Sequence, residues 1–195
     1  MIKHNNKLFT TVTGLIYPAF LGAWIYNVSE DVFGITEGTS TMQFVQVSLI
    51  VALLVLYVTD YIHTFDETLE KYRLPQFALD LAILVCLFGC LMYSSDDNFA
   101  DHLLKLWILL AVAKAVGLIW DVLDSDWTGL RIDVPFVVLY CLGAFFLQTN
   151  SWILVLICFA DAILYWPYSR WRKGNSAPSK ACCQSAMDKP DSVSR

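Results

Sequence analysis

Apolar residues in this chain come in long runs separated by short polar stretches. Six runs stand out, over residues 8–27, 42–62, 76–94, 103–123, 132–148 and 152–168. An α-helix rises about 1.5 Å per residue, so about 20 apolar residues cross a hydrocarbon layer roughly 30 Å thick. The runs predict six transmembrane helices, and the fold class they define is an all-α polytopic membrane bundle. The fifth run is short. Pro135 suits the first turn of its helix, and Gln148, Thr149, Asn150 and Ser151 separate it from the sixth by a tight external hairpin. Residues 1–173 thus form the transmembrane domain. From residue 174 the chain turns to Gly, Asn, Ser, Pro, Lys and Asp with no apolar period, which predicts a disordered tail over 174–195.

Basic residues orient the runs, because cytoplasmic loops hold the excess of Lys and Arg. With the N-terminus inside, Lys3, Lys7, Lys71, Arg73, Arg131 and six basic residues after the last run fall on the cytoplasmic side, 11 of the 13 in the chain. The predicted outer loops hold Glu30, Asp31, Glu37, Asp96, Asp97 and Asp101 instead. Both termini are therefore expected in the cytoplasm, in a multi-pass protein of a cell or inner membrane. Lys3 and Lys7 before an apolar stretch also suit a signal peptide. That stretch, however, exceeds the usual apolar region and lacks a small-x-small cleavage site.

Composition narrows the function classes. Of 195 residues, 57% are hydrophobic and only 16% charged, and the mean hydropathy is +0.54, too little polar surface for a soluble domain. A net charge of −5 excludes nucleic acid as a main partner, since phosphate binding needs a basic face. The one basic cluster, Arg170, Arg172 and Lys173, reads as a membrane-flanking anchor, so the lipid bilayer is the first partner. Cys86, Cys90, Cys141 and Cys158 fall in apolar runs and Cys182 and Cys183 in the tail, where acylation is the sharper alternative to plain thiols. No CxxC occurs and His4, His63 and His102 are scattered, so no metal, haem or other cofactor is expected.

Charges inside the runs carry the functional signal. An ionisable side chain at the bilayer centre costs several kcal/mol on insertion scales, so it faces protein or water and finds a partner there. Lys114 lies eleven residues into the fourth run, about 16 Å below its outer end and near mid-membrane. Steps of three, four and three put Lys114, Gly117, Asp121 and Asp124 on one helical stripe. Two turns, about 10 Å, separate Lys114 from Asp121, so its partner is expected from another helix. Asp161 is preferred. The tilt of Cβ toward a helix N-terminus carries its carboxylate outward from the inner interface marked by Trp166. Cys158, Tyr165 and Tyr168 share its stripe, and the tyrosines are expected to donate to it.

Asp60, Asp80 and Asp133 repeat the theme near the inner ends of the second, third and fifth helices. Tyr57 and His63 flank Asp60 at helical spacing, Gln76 flanks Asp80, and Tyr140 and Gln148 share a face with Asp133. The ordinary reading of Asp80 and Asp133 is that they lie in first turns, where a carboxylate complements the helix dipole. That of Lys114 and Asp161 is an ion pair fixing helix register. The first helix carries no charge but spaces Gly14, Pro18 and Gly22 at steps of four, a small or kinked face that lets another helix approach.

Three functions suit this pattern. The first is a small proton or cation channel or carrier, in which Lys114 exchanges partners among Asp161, Asp121, Asp60, Asp80 and Asp133. The second is a non-transporting sensor or subunit, in a homo-oligomer or membrane complex, whose inner loop around 66–73 or tail recruits a cytoplasmic protein. The third, an intramembrane lipid-modifying enzyme, ranks below both. Asp121, Asp124 and Asp126 could hold a divalent ion, but no nucleophile elbow, paired histidines or phosphate-binding glycine loop accompanies them, and no catalytic residue is assigned.

Overall fold

The computed structural model describes residues 9–33, 41–66, 73–96, 98–124, 127–147 and 149–175. Among them every element is a helix. Helix α1 covers residues 9–33, with a π-helical turn Val12–Ile16 running into Tyr17–Phe33. Next come α2 (Thr41–Asp66), α3 (Leu74–Ser94), a 3-10 turn (Phe99–His102), α4 (Leu103–Asp124), α5 (Trp127–Phe146) and α6 (Ser151–Asn175). Helices α1 to α5, α4 together with the 3-10 turn before it, contain stretches of 18 to 25 residues long and apolar enough to cross a membrane; the described apolar part of α6, Ser151–Leu164, is shorter. The described residues form a six-helix membrane bundle.

The helices outrun the apolar segments that predict them. α5 begins at Trp127 rather than at 132, α3 at Leu74 rather than at 76, and α6 continues to Asn175, past the expected domain boundary at 173. Once nucleated, a helix gains a hydrogen bond for each residue added, so it continues through polar residues until a breaker or a cap stops it. At α3 the start is defined by Pro75 and by Gln76 Oε1, which accepts the Arg73 N–H at 2.7 Å. The longer helices correct two expectations. Neither α3 nor α5 has an acidic residue in its first turn, so the dipole does not account for Asp80 or Asp133. Pro135 likewise sits inside α5 rather than at its start, where its ring denies the Arg131 carbonyl its usual donor. The tail from residue 176 and the inner loop 67–72 lie outside the described residues.

Helix α4 packs lengthwise between α3 and α5, α6 lies along α2, and α1 rests on α2 and α3. Leu49, Ile50, Leu53, Leu84, Leu106, Trp107 and Leu154 fill the interior with at most 1% exposure. Val85, Ile108, Val112, Val138, Leu156 and Ile163 point outward and are exposed. Lipid tails solvate such side chains as well as a protein core does, so specificity between the helices has to come from close packing and polar contacts.

The α4–α5 hairpin supplies that packing through glycines. A Cβ on Gly143 would overlap the Trp107 ring, one on Gly117 would lie 3.3 Å from Asp133 Oδ2, and one on Gly129 would lie 2.7 Å from Asp121 Oδ2. The members of each pair lie equally far in sequence from residue 125, so all three belong to one antiparallel register. Close backbone approach along this seam is what lets the two helices share polar side chains.

In α1 the expected role of the small residues is corrected. Gly14, Pro18 and Gly22 are exposed; a Cβ on Gly22 would meet nothing within 4 Å and one on Gly14 only Thr10 of its own helix. Among the described residues no other helix packs against that face, because Val12, Tyr17 and Trp24 turn the opposite side inward to bury their larger surfaces. Pro18 acts on the backbone instead. Its ring would collide with the Gly14 carbonyl in a regular α-helix, and the chain widens to a π turn in which the Tyr17 N–H reaches Val12 O. The Thr13 hydroxyl donates to Phe9 O at 2.9 Å within that turn.

Candidate functional site

At mid-length in α4, Lys114 reaches toward two helices at once. Its Nζ lies 2.7 Å from Asp161 Oδ1 on α6 and donates to Asp133 Oδ1 on α5 at 3.2 Å. Both contacts are ion pairs at hydrogen-bonding distance, the kind of charge-assisted contact that is strongest away from water. The ammonium also lies 5.7 Å from the centre of the Phe136 ring, one turn beyond Asp133, within the range of a cation–π attraction. Asp161 is fully buried and Asp133 2% exposed. Removing such carboxylates from water is costly unless a cation and donors compensate them.

Each wing of the site has a tyrosine donor. The Tyr140 hydroxyl donates to Asp161 Oδ2 at 3.1 Å, and its oxygen lies 3.8 Å from Cys158 Sγ. Tyr17, carried inward by the widened turn of α1, donates to Asp60 Oδ2 at 2.5 Å. Tyr57 does not serve Asp60 as its spacing suggested. Its hydroxyl donates to Tyr17 O at 2.6 Å, and the Tyr57 and Tyr61 rings pack against Tyr17 with centroids 5.5 and 5.0 Å away. These contacts fix the phenol that holds Asp60.

Between the wings lies a cavity of about 70 Å³ lined by Asp60, Asp80, Lys114, Asp121, Asp133 and Asp161. A polar space of this size is large enough to hold ordered water. Leu56, Ile83, Leu87 and Trp120 close the apolar side. Five carboxylates thus face one ammonium. Like charges confined in a medium of low polarity raise one another's cost of ionisation unless cations or donors offset it. Among the described residues, no three acidic, His or Cys side chains converge closely enough to share one metal ion.

Asp121 and Asp133 are seated by one repeated device. Gly117-Leu118-Ile119-Trp120-Asp121 in α4 is matched by Gly129-Leu130-Arg131-Ile132-Asp133 in α5. A residue and the one four positions on lie on the same face of a helix, so in this antiparallel pair each glycine opens a seat for the partner's aspartate. Gly129→Ala places a methyl 2.7–2.8 Å from three atoms of the Asp121 carboxylate. We expect it to lower unfolding stability by about 1–3 kcal/mol, and Gly129→Ala/Asp121→Ala to recover part of that loss; strictly additive losses would show that the contact is unimportant.

All six charged residues that the sequence singled out line the cavity, whereas Gly14, Pro18 and Gly22 lie outside it. The side chains of His63, Asp124, Tyr165 and Tyr168, and the residues Asp126 and Gln148, fall outside the described part of the structure. Sequence reasoning overlooked Tyr17 and Gly129, and it did not match Tyr140 to Asp161. The repeated Gly-Leu-x-x-Asp could have revealed the α4–α5 seam; no local pattern announces Tyr17, which reaches Asp60 across 43 positions. No family model, curated protein or solved structure matches the chain. Its class follows from its own residues: a polytopic helical membrane protein with an ionisable cavity between its helices.

Proposed function

We propose that the protein is a small proton or cation carrier or channel whose pathway runs through this cavity. The observation that carries the reading is the bridging of Asp133 and Asp161 by Lys114 in a space that three further aspartates also line. A proton or cation arriving at Asp161 weakens its hold on Lys114, and the ammonium then leans on Asp133. The bridge thus responds to occupancy of the cavity. Asp60, Asp80 and Asp121 attract cations into the same space. With the basic flanks inside, the cavity opens from the cytoplasmic half of the bundle.

The test is flux in proteoliposomes carrying a trapped pH-sensitive dye. Wild-type protein should dissipate an imposed pH gradient faster than empty vesicles do. Asp161→Asn should slow that dissipation about tenfold, the effect of roughly 1.4 kcal/mol on a barrier. If wild type and Lys114→Ala both leave vesicles as tight as protein-free controls, the reading is wrong.

A further inference from the structure

We propose that the niche formed by Asp133, Asp161 and Phe136 is a binding site for small primary ammonium ions, in which Lys114 is a tethered occupant. The inference rests on the pathway reading and names the class of external cation that the pathway takes. Three features of an ammonium receptor meet around the Lys114 nitrogen. Carboxylate oxygens from two helices lie 2.7 and 3.2 Å away, and an aromatic ring is centred at 5.7 Å. Carboxylates supply charge and acceptors for N–H groups, and a ring face favours a weakly hydrated cation over a strongly hydrated metal ion. The receptor is held in shape independently of its occupant: Tyr140 fixes the other oxygen of Asp161 at 3.1 Å, and Gly117 leaves room for Asp133.

An external ion would reach this niche through the adjoining cavity. Its volume of about 70 Å³ leaves room for a small ion, and Leu56, Ile83 and Leu87 on one wall suit the alkyl part of an organic ammonium. Asp60 and Asp80 line the same space and can hold the Lys114 ammonium or the incoming ion as the two exchange. Lys114 and the external ammonium then compete for one pair of carboxylates, so binding of one releases the other.

The experiment replaces the tether. Lys114→Ala lacks three methylenes and the amine, the parts that n-propylammonium supplies. Adding n-propylammonium to the full-length variant in detergent should raise its Tm saturably, by about 5 °C or more at saturation. Wild type, whose own ammonium competes for the niche, should respond more weakly at the same concentration, Lys114→Ala/Asp161→Asn should not respond, and tetramethylammonium, which has no N–H, should not substitute. A folded Lys114→Ala that ignores n-propylammonium, or responds equally to tetramethylammonium, overturns the proposal. Should Lys114→Ala fail to fold, wild-type proteoliposomes keep the question open to test: methylammonium should slow proton flux at least threefold, and flux that is indifferent to methylammonium overturns the ammonium site while leaving the proton pathway intact. Absence of any wild-type proton flux, combined with rescue of Lys114→Ala, would sink the pathway reading and leave the binding site.

Discussion

Lys114→Met should unfold about 3–5 kcal/mol more easily than wild type, the cost typical of stranding a buried charge by removing its partner. Methionine fills nearly the same volume, so the loss isolates charge from packing. Two carboxylates lose their cation at once, because the Lys114 ammonium lies against both Asp133 and Asp161. Neutralising them should restore the bundle: Lys114→Met/Asp161→Asn is expected to recover at least half of the deficit, and adding Asp133→Asn to recover more. Acidification should narrow the deficit of the single variant. A proton neutralises a stranded carboxylate in the folded variant but is not needed in its hydrated unfolded chain, so the folded state binds more protons and its stability falls as pH rises. Unfolding of purified protein in mixed detergent, followed across a pH series, checks both statements. A single variant as stable as wild type, or a triple variant no better than the single, would mean that the ion pairs do not hold the helices together.

In the same residues, what the sequence dictates is distinct from what packing adds. A long apolar run has one stable form in lipid, so helix number follows from composition alone. The cost of burying charge, likewise independent of the fold, drew attention to Lys114 and the five aspartates. Geometry between helices is different. The partner of Lys114 on α6 is accessible from depth, whereas for Asp133, which belongs to the same expected network, the apolar run favours a first-turn role over direct pairing with Lys114. The real start of α5 at Trp127 lies six residues before it, and helix ends are set by caps and breakers rather than by hydrophobicity. Tyr17 was invisible for another reason. Its orientation depends on a π turn forced by Pro18, and one extra residue in a turn rotates everything beyond it relative to the ideal 3.6-residue wheel. Glycines were misread in the same way: the row in α1 had the spacing of a packing motif, whereas the glycines that admit close approach are spread along α4 and α5.

That contrast gives a second large effect. Gly143→Ala is expected to cost about 3 kcal/mol, the upper end for overpacking, and to lower Tm by about 10 °C. The new methyl would overlap the six-membered ring of Trp107, which is fully buried and is itself packed against Tyr140 with ring centroids 6.2 Å apart. An indole so enclosed has no free rotamer, so α4 and α5 must separate or the Trp107 ring must push into Tyr140. Either response loosens the donor that holds Asp161, and damage at the packed end of the hairpin should appear at the charged centre as well. Gly22→Ala is the matched control. Its methyl meets nothing within 4 Å, and alanine is favoured over glycine in a helix by up to about 1 kcal/mol, so this change should be neutral or stabilising. A loss at Gly22 comparable to that at Gly143 would instead place another helix, from a second copy or a partner, on the open face of α1. Shortening the obstruction tests the cause directly: Gly143→Ala/Trp107→Leu should be more stable than the sum of the two single losses predicts, because the methyl then occupies space that the indole has vacated.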